Sequence, residues 1–126
     1  MTKTIISTDK APPAIGPYSQ AVEVGGLIFC SGQIPLDPST KLVVGSTVQE
    51  QTEQVLKNVT ALLAAAGTSI KKVVKSTVFL SDMGNFKDFN EVYSKYFSEA
   101  PPARSTVAVK GLPMNVLVEV ECIAHK

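Results

Sequence analysis

Few residues in this chain of 126 have types and spacing suited to chemistry. The single histidine, His125, is penultimate, where a frayed tail is expected rather than the base of a triad. Cys30 and Cys122 each lie inside an apolar run, lack metal-ligand spacing, and read as buried thiols of a reducing compartment. No Cys/His/Asp cluster offers zinc or iron a ligand set, and no glycine-rich loop precedes a helix in a phosphate-binding pattern. Neither a metal nor a cofactor is therefore implied. Lys71, Lys72 and Lys75 form a small basic cluster that reads as a solvated strand edge. The formal net charge of +1 supplies no global field, so nucleic acid is not expected as a partner.

What remains is a set of polar residues where apolar ones belong. In "NVLVEVECIA" strand alternation puts Leu117, Glu119, Glu121 and Ile123 on one face and Val116, Val118, Val120 and Cys122 on the other, so two carboxylates share a face with aliphatics. In "PPARSTVAVK" an arginine, Arg104, opens an otherwise apolar strand just after a double proline. The turn "GLP" is expected to fold the second strand back on the first, bringing Arg104 and Ser105 opposite Glu119 to Glu121. An ordinary cross-strand ion pair, worth about 0.2–1 kcal/mol, accounts for that pairing. A functional reading accounts for it equally: the prolines restrict the approach to Arg104, and a guanidinium is a planar fork matched to a ligand carboxylate.

The elements that must position these groups follow from periodicity. A hydrophobic content of 44% over this length fits one domain, residues 1–126, with a genuine core. "KTIIST" reads as a strand and the proline-rich "DKAPPAIGP" as a loop delivering Tyr18. "YSQAVEV" and "LIFCSGQI" read as strands joined by a hairpin at Gly25-Gly26. After a proline-bearing excursion, Ser46 and Gln49 have the form of a capping box. Val48, Thr52, Val55, Val59, Leu62 and Ala66 then trace one buried helical stripe, stopped by Gly67. "IKKVVKSTVFLS" is a strand with Val74 and Val78 on one face and Val73 and Phe79 on the other, both expected to be buried. Asp82 is expected to cap a second helix with Phe86, Phe89, Tyr93 and Tyr96 or Phe97 inward, ending before Pro101. The order β-β-β-α-β-α-β-β describes an α+β domain, a mixed sheet with two helices on one face. Cover for the other face is most economically another copy of the chain, so a homo-oligomer with sites at subunit boundaries is expected.

The segments "PAIGPYSQAV", "FCSGQIP", "FLSDMGNFKDFNEVYSKYF" and "PPARSTVAV", with "LP" and "VEVECIA", resemble the RidA (YjgF, reactive intermediate deaminase) family nearly end to end. That resemblance implies a chorismate-mutase-like fold, a homotrimer and active sites in clefts between subunits. It implies hydrolysis of 2-imino acids, 2-iminopropanoate and 2-iminobutanoate, which arise from enamines released by pyridoxal phosphate enzymes, to 2-oxo acids and ammonia. Carried over by position, Arg104 holds the substrate carboxylate and Glu119 orients or activates the attacking water. Tyr18, Ser31, Gly32 and Asn90 line the pocket. Many relatives carry cysteine where this chain has Thr106, so the resemblance lends no thiol role there.

Two other classes compete with the deaminase: a ribonuclease or translation inhibitor acting on RNA, and a non-catalytic trimer that binds small carboxylates or acts as a chaperone. The start "MTKTIISTDK" has neither a secretory h-region nor the character of a transit peptide, and no apolar run approaches a membrane span. A cytoplasmic protein is expected, or a mitochondrial one had a transit peptide been removed.

Overall fold

The computed structural model describes residues 2–126. The elements are β1 (Thr4–Ile6), β2 (Ala21–Val24), β3 (Leu27–Gln33), α1 (Val48–Ala65), β4 (Val73–Leu80), α2 (Phe86–Tyr96), β5 (Ala103–Ala108) and β6 (Val118–His125), in the order expected from the sequence. The strands form one mixed sheet, β1-β2-β3-β6-β4-β5. No helix among the described residues is long and apolar enough to cross a membrane.

The first helix begins one residue later than the Ser46–Gln49 pattern suggests. Thr47 is the cap: its hydroxyl accepts from Glu50 N at 3.2 Å, and Glu50 Oε1 accepts from Thr47 N at 3.2 Å. An ionised carboxylate outcompetes the neutral Gln49 because it also collects Ser46 N, at 3.1 Å, and faces the positive end of the helix. These bonds hold the Glu50 carboxyl below its usual range. The whole predicted stripe, Val48 to Ala66, is buried, and Gly67 ends the helix at φ +80°. Asp82 caps a short 3-10 turn, accepting from Gly84 N at 2.6 Å, and α2 starts only at Phe86.

Both helices cover one face, where Ile28, Val55, Leu56, Leu62, Val78, Leu80, Phe89, Val118 and Val120 are fully enclosed. A bulge between Val73 and Lys75 changes the expected facing of β4: Val73 joins Val78 in the core and Val74 is exposed. His125 is not a frayed tail. It is the last residue of β6, paired with Leu27, and its carbonyl accepts from Thr68 Oγ1 at 2.6 Å.

The main correction concerns β5 and β6, which do not form a hairpin. β5 runs parallel to β4, with Arg104 opposite Ser76, and β4 separates it from β6. A strand, a helix and a strand (β4, α2, β5) make a crossover unit, and parallel neighbours are what such a unit produces. The "GLP" segment therefore carries the chain past the end of β4. It leads into a short 3-10 turn, Pro113–Asn115, in which Met114 and Asn115 both take φ +55°, a left-handed conformation costly for residues with a Cβ.

Candidate active site

The register lays one row of side chains across all six strands on the helix-covered face: Ile6, Ala21, Cys30, Cys122, Ser76 and Arg104. Alternation puts Glu119 on the opposite, open face, in a second row with Phe79 and Val107. Arg104 and Glu119 are thus on opposite sides of the sheet, and the expected cross-strand pairing within one chain does not form. The only ion pair among the described residues is Lys126 with Glu23.

Glu119 is half-buried, and it stands at a cavity of about 530 Å³ that also includes Tyr18, Ser31, Gly32, Ile15 and Met114. Three of the residues anticipated from the sequence therefore meet a fourth there. A bulge brings them in: β3 shifts register between Cys30 and Gln33, so Ser31 and Gly32 occupy the space of one residue and turn toward the cavity. Gly32 lies so close to the Glu119 carboxylate that a Cβ on it would come within 2.8 Å of Glu119 Cδ. Ser31 is tied back by its Oγ, which donates to Ser19 O at 2.6 Å, and by its N, which donates to Gln20 O at 2.9 Å.

The proline-rich loop that brings Tyr18 is held by the buried Gln20. Its Nε2 donates to Thr8 O, Ala11 O and Pro12 O at 3.0, 3.2 and 2.7 Å, and its Oε1 accepts from Thr8 N at 2.7 Å. One amide thereby replaces the ladder that the prolines cannot form. Tyr18 Oη accepts from Ile15 N at 3.2 Å, which fixes the ring over the cavity mouth while leaving it half exposed. Burial, and secondarily the charge of Glu121, raises the Glu119 carboxyl above its ordinary range, which gives it a greater capacity to hold a proton.

Arg104 occupies a different setting, with Asn90. Its Nη1 donates to Asn90 Oδ1 at 2.9 Å, and its guanidinium carbon lies 4.7 Å from the Tyr93 ring centre, 5.6 Å from Phe86 and 5.7 Å from Phe89. These aromatic rings were read from the sequence only as a core face. The signal that they serve Arg104 is their recurrence at Phe86, Phe89 and Tyr93 on the helix leading into "PPAR". The guanidinium is charged, half-buried and without a carboxylate among the described residues, so most of its five N–H donors are free for an anion. Thr106, two residues on and on the same face, has a buried hydroxyl without a hydrogen-bond partner among the described residues. Cys30 and Cys122 face each other in the core row, and the hydrogen bond of Cys122 to Cys30, with burial, pushes the Cys122 thiol up.

Comparison with known proteins places this architecture. A family model described as endoribonuclease L-PSP matches residues 8–126. A RutC family protein of Saccharolobus solfataricus is 56% identical over 124 residues, covering 98% of both chains. The chloroplastic Reactive Intermediate Deaminase A of Arabidopsis thaliana is 50% identical over 122 residues, 97% of this chain and 65% of that one. The crystal structure of Escherichia coli TdcF with bound serine superposes with a TM-score of 0.93 at 44% identity, covering 98% of each chain. With the match running nearly end to end in both sequence and fold, the chain belongs to the RidA (YjgF) family.

Proposed function

We propose that this protein hydrolyses small 2-imino acids such as 2-iminopropanoate and 2-iminobutanoate to 2-oxo acids and ammonia, at a site completed by two copies of the chain. The observation that carries the reading is the placement of a free guanidinium and a proton-accepting carboxylate on opposite faces of one sheet. Neither half is a site by itself. A neighbouring copy that lays its β5 edge against the cavity of the first brings Arg104 and Asn90 to Tyr18, Ser31, Gly32 and Glu119. A homotrimer is the closed assembly proposed for this, in keeping with the Leu27, Phe29 and Val107 side chains left exposed on the open face.

The reaction suits such sparse machinery. The iminium carbon is already electrophilic, and water adds to it as Glu119 takes the proton. The protonated Glu119 then gives its proton to the carbinolamine nitrogen, and as the C–N bond breaks to release ammonia the carboxylate takes up the hydroxyl proton lost in forming the C=O of the 2-oxo acid. Arg104 contributes a charge-assisted clamp on the carboxylate, about 1.5–3 kcal/mol, and the rest is orientation. That TdcF was crystallised with serine, a small α-carboxylate, supports a carboxylate-sized ligand here.

The test is complementation. Arg104→Ala and Glu119→Gln homo-oligomers should each fail to accelerate pyruvate release from 2-aminoacrylate generated in situ. Refolded together in equal amounts, they should recover about a quarter of wild-type activity, the fraction of boundaries at which an intact arginine meets an intact glutamate in a closed assembly. A mixture as inactive as its components defeats the shared site. Full activity of Arg104→Ala alone defeats the carboxylate clamp, and RNA cleavage that survives repurification and is lost in Arg104→Ala favours the RNA-directed reading instead.

A further inference from the structure

We infer that Tyr93 and Ser76 form a positioning unit that sets the plane of the Arg104 guanidinium. The inference rests on the carboxylate role proposed for Arg104 and extends it to two residues that do not meet the ligand. Ser76 is fully buried, at a position in β4 whose neighbours on the same face are Val78 and Leu80, where an aliphatic residue is the economical choice. Its hydroxyl instead lies 2.6 Å from Tyr93 Oη, and Tyr93 is 6% exposed. A buried hydroxyl pair is tolerated because each satisfies the other, but a serine and a phenol gain nothing there over apolar packing unless the orientation they impose is useful.

What they orient is the ring. Tyr93 lies in tilted contact with Phe89, ring centres 5.3 Å apart, and with Phe97, which caps α2, at 4.5 Å, so its translation is limited by a ring on either side. The Oη bond to Ser76 then holds the end of the ring to β4. Ser76 is in register with Arg104 on the next strand, which places the anchor of the ring directly beside the residue that rests on it. The guanidinium is nearest to Tyr93 of its three aromatic neighbours, and a cation within about 6 Å of a ring centre is held over its face. Asn90 holds one Nη, and the ring defines the plane about that contact. With both fixed, the remaining N–H fork points in one direction. A planar, bidentate match to a carboxylate is sensitive to that direction.

The test measures binding of 2-oxobutanoate to the full-length assembled protein by NMR titration, which reaches millimolar affinities. Tyr93→Leu is expected to weaken binding about tenfold. Tyr93→Phe and Ser76→Ala, which keep the ring and the core volume, are expected to weaken it about threefold each, and still about threefold when combined, because they break the same bond. In an Arg104→Ala background none of the three should weaken binding further, whereas a general loosening of the core would act equally in both backgrounds. Should Tyr93→Leu fail to fold, the Phe and Ala variants decide alone. Binding unchanged in these two, about a ninefold loss on combining them, or equal losses with and without Arg104 overturns the unit. Wild-type binding in Arg104→Ala overturns the carboxylate role itself, and the inference with it.

Discussion

Replacing Gly32 by alanine isolates the position of the Glu119 carboxylate from everything else in the fold. Gly32 is not among the residues with left-handed φ, so its backbone accepts a Cβ, and the three nearest atoms that Cβ would meet all belong to the glutamate. The added carbon would stand 2.8 Å from Glu119 Cδ and 3.1 Å from Cγ, whereas ordinary contact begins at 3.4 Å. The carboxyl group must therefore retreat by about 0.6 Å at Cδ and further at its nearer oxygen. Misplacement on the order of 1 Å can cost about a hundredfold in rate, so kcat for 2-iminopropanoate hydrolysis should fall by roughly ten- to a hundredfold. KM and 2-oxobutanoate binding should change less than kcat, since the Arg104 clamp is untouched although Gly32 lines the same cavity. The assay follows pyruvate release from 2-aminoacrylate made in situ, with the uncatalysed rate subtracted. Gly111→Ala is the control, because nothing lies within 4 Å of a Cβ there. A Gly32→Ala protein with wild-type kcat and an unchanged melting temperature would show that the Glu119 carboxylate does not act from where the structure holds it.

The raised Glu119 carboxyl also has a consequence for stability. Between the ordinary glutamate value, about 4.3, and the raised one, the native state binds more protons than the unfolded state, so stability falls as pH rises through that window. Glu119→Gln should thus be as stable as wild type or more so at pH 7 in urea titrations, with the difference vanishing as pH is lowered toward about 4; a variant clearly less stable at pH 7 contradicts this. Glu121→Gln removes one cause of the shift and should move the acid limb of kcat/KM to lower pH, and an unmoved limb argues that Glu121 does not reach the site electrostatically. Cys30 and Cys122 should be silent to Ellman's reagent in the native protein and titrate as two thiols in denaturant, since both are buried and unbonded; rapid native reaction would show that β3 and β6 separate readily.

Element order, the stripe of α1, the aromatic face of α2 and the alternation of β6 were legible in the sequence because each is a local pattern read along one segment. Facing failed where a bulge intervened, at Val74, since one inserted residue reverses every side chain beyond it. Pairing failed at β5 because adjacency in a sheet is not a local property: the short "GLP" link suggested a hairpin, while the energetically decisive unit was β4-α2-β5 with its parallel crossover. The candidate residues were recognised individually through the family resemblance, and Tyr18, Ser31, Gly32 and Glu119 do converge. Their separation from Arg104 and Asn90 was invisible, because it depends on which face of which strand each occupies. The Ser76–Tyr93 bond was missed for a related reason: one serine in an apolar strand carries no signal until the helix facing it is known.

The two-sided arrangement also explains why the chain tolerates an unpaired arginine. Had β5 and β6 formed the hairpin that the turn suggested, Arg104 and Glu119 would have neutralised each other, leaving a cross-strand ion pair with little affinity for a substrate carboxylate. Insertion of β4 between them prevents that neutralisation. The arginine rests instead on aromatic faces, which support its charge without matching it, and the glutamate keeps the raised proton affinity that burial and the Glu121 charge give it, with no ion-pair partner among the described residues. On the proposed reading, that separation keeps each half from neutralising the other. The two are proposed to act together around a substrate that brings its own negative charge to the arginine and its own electrophilic carbon to the water beside the glutamate. A small 2-imino acid has both, on adjacent atoms.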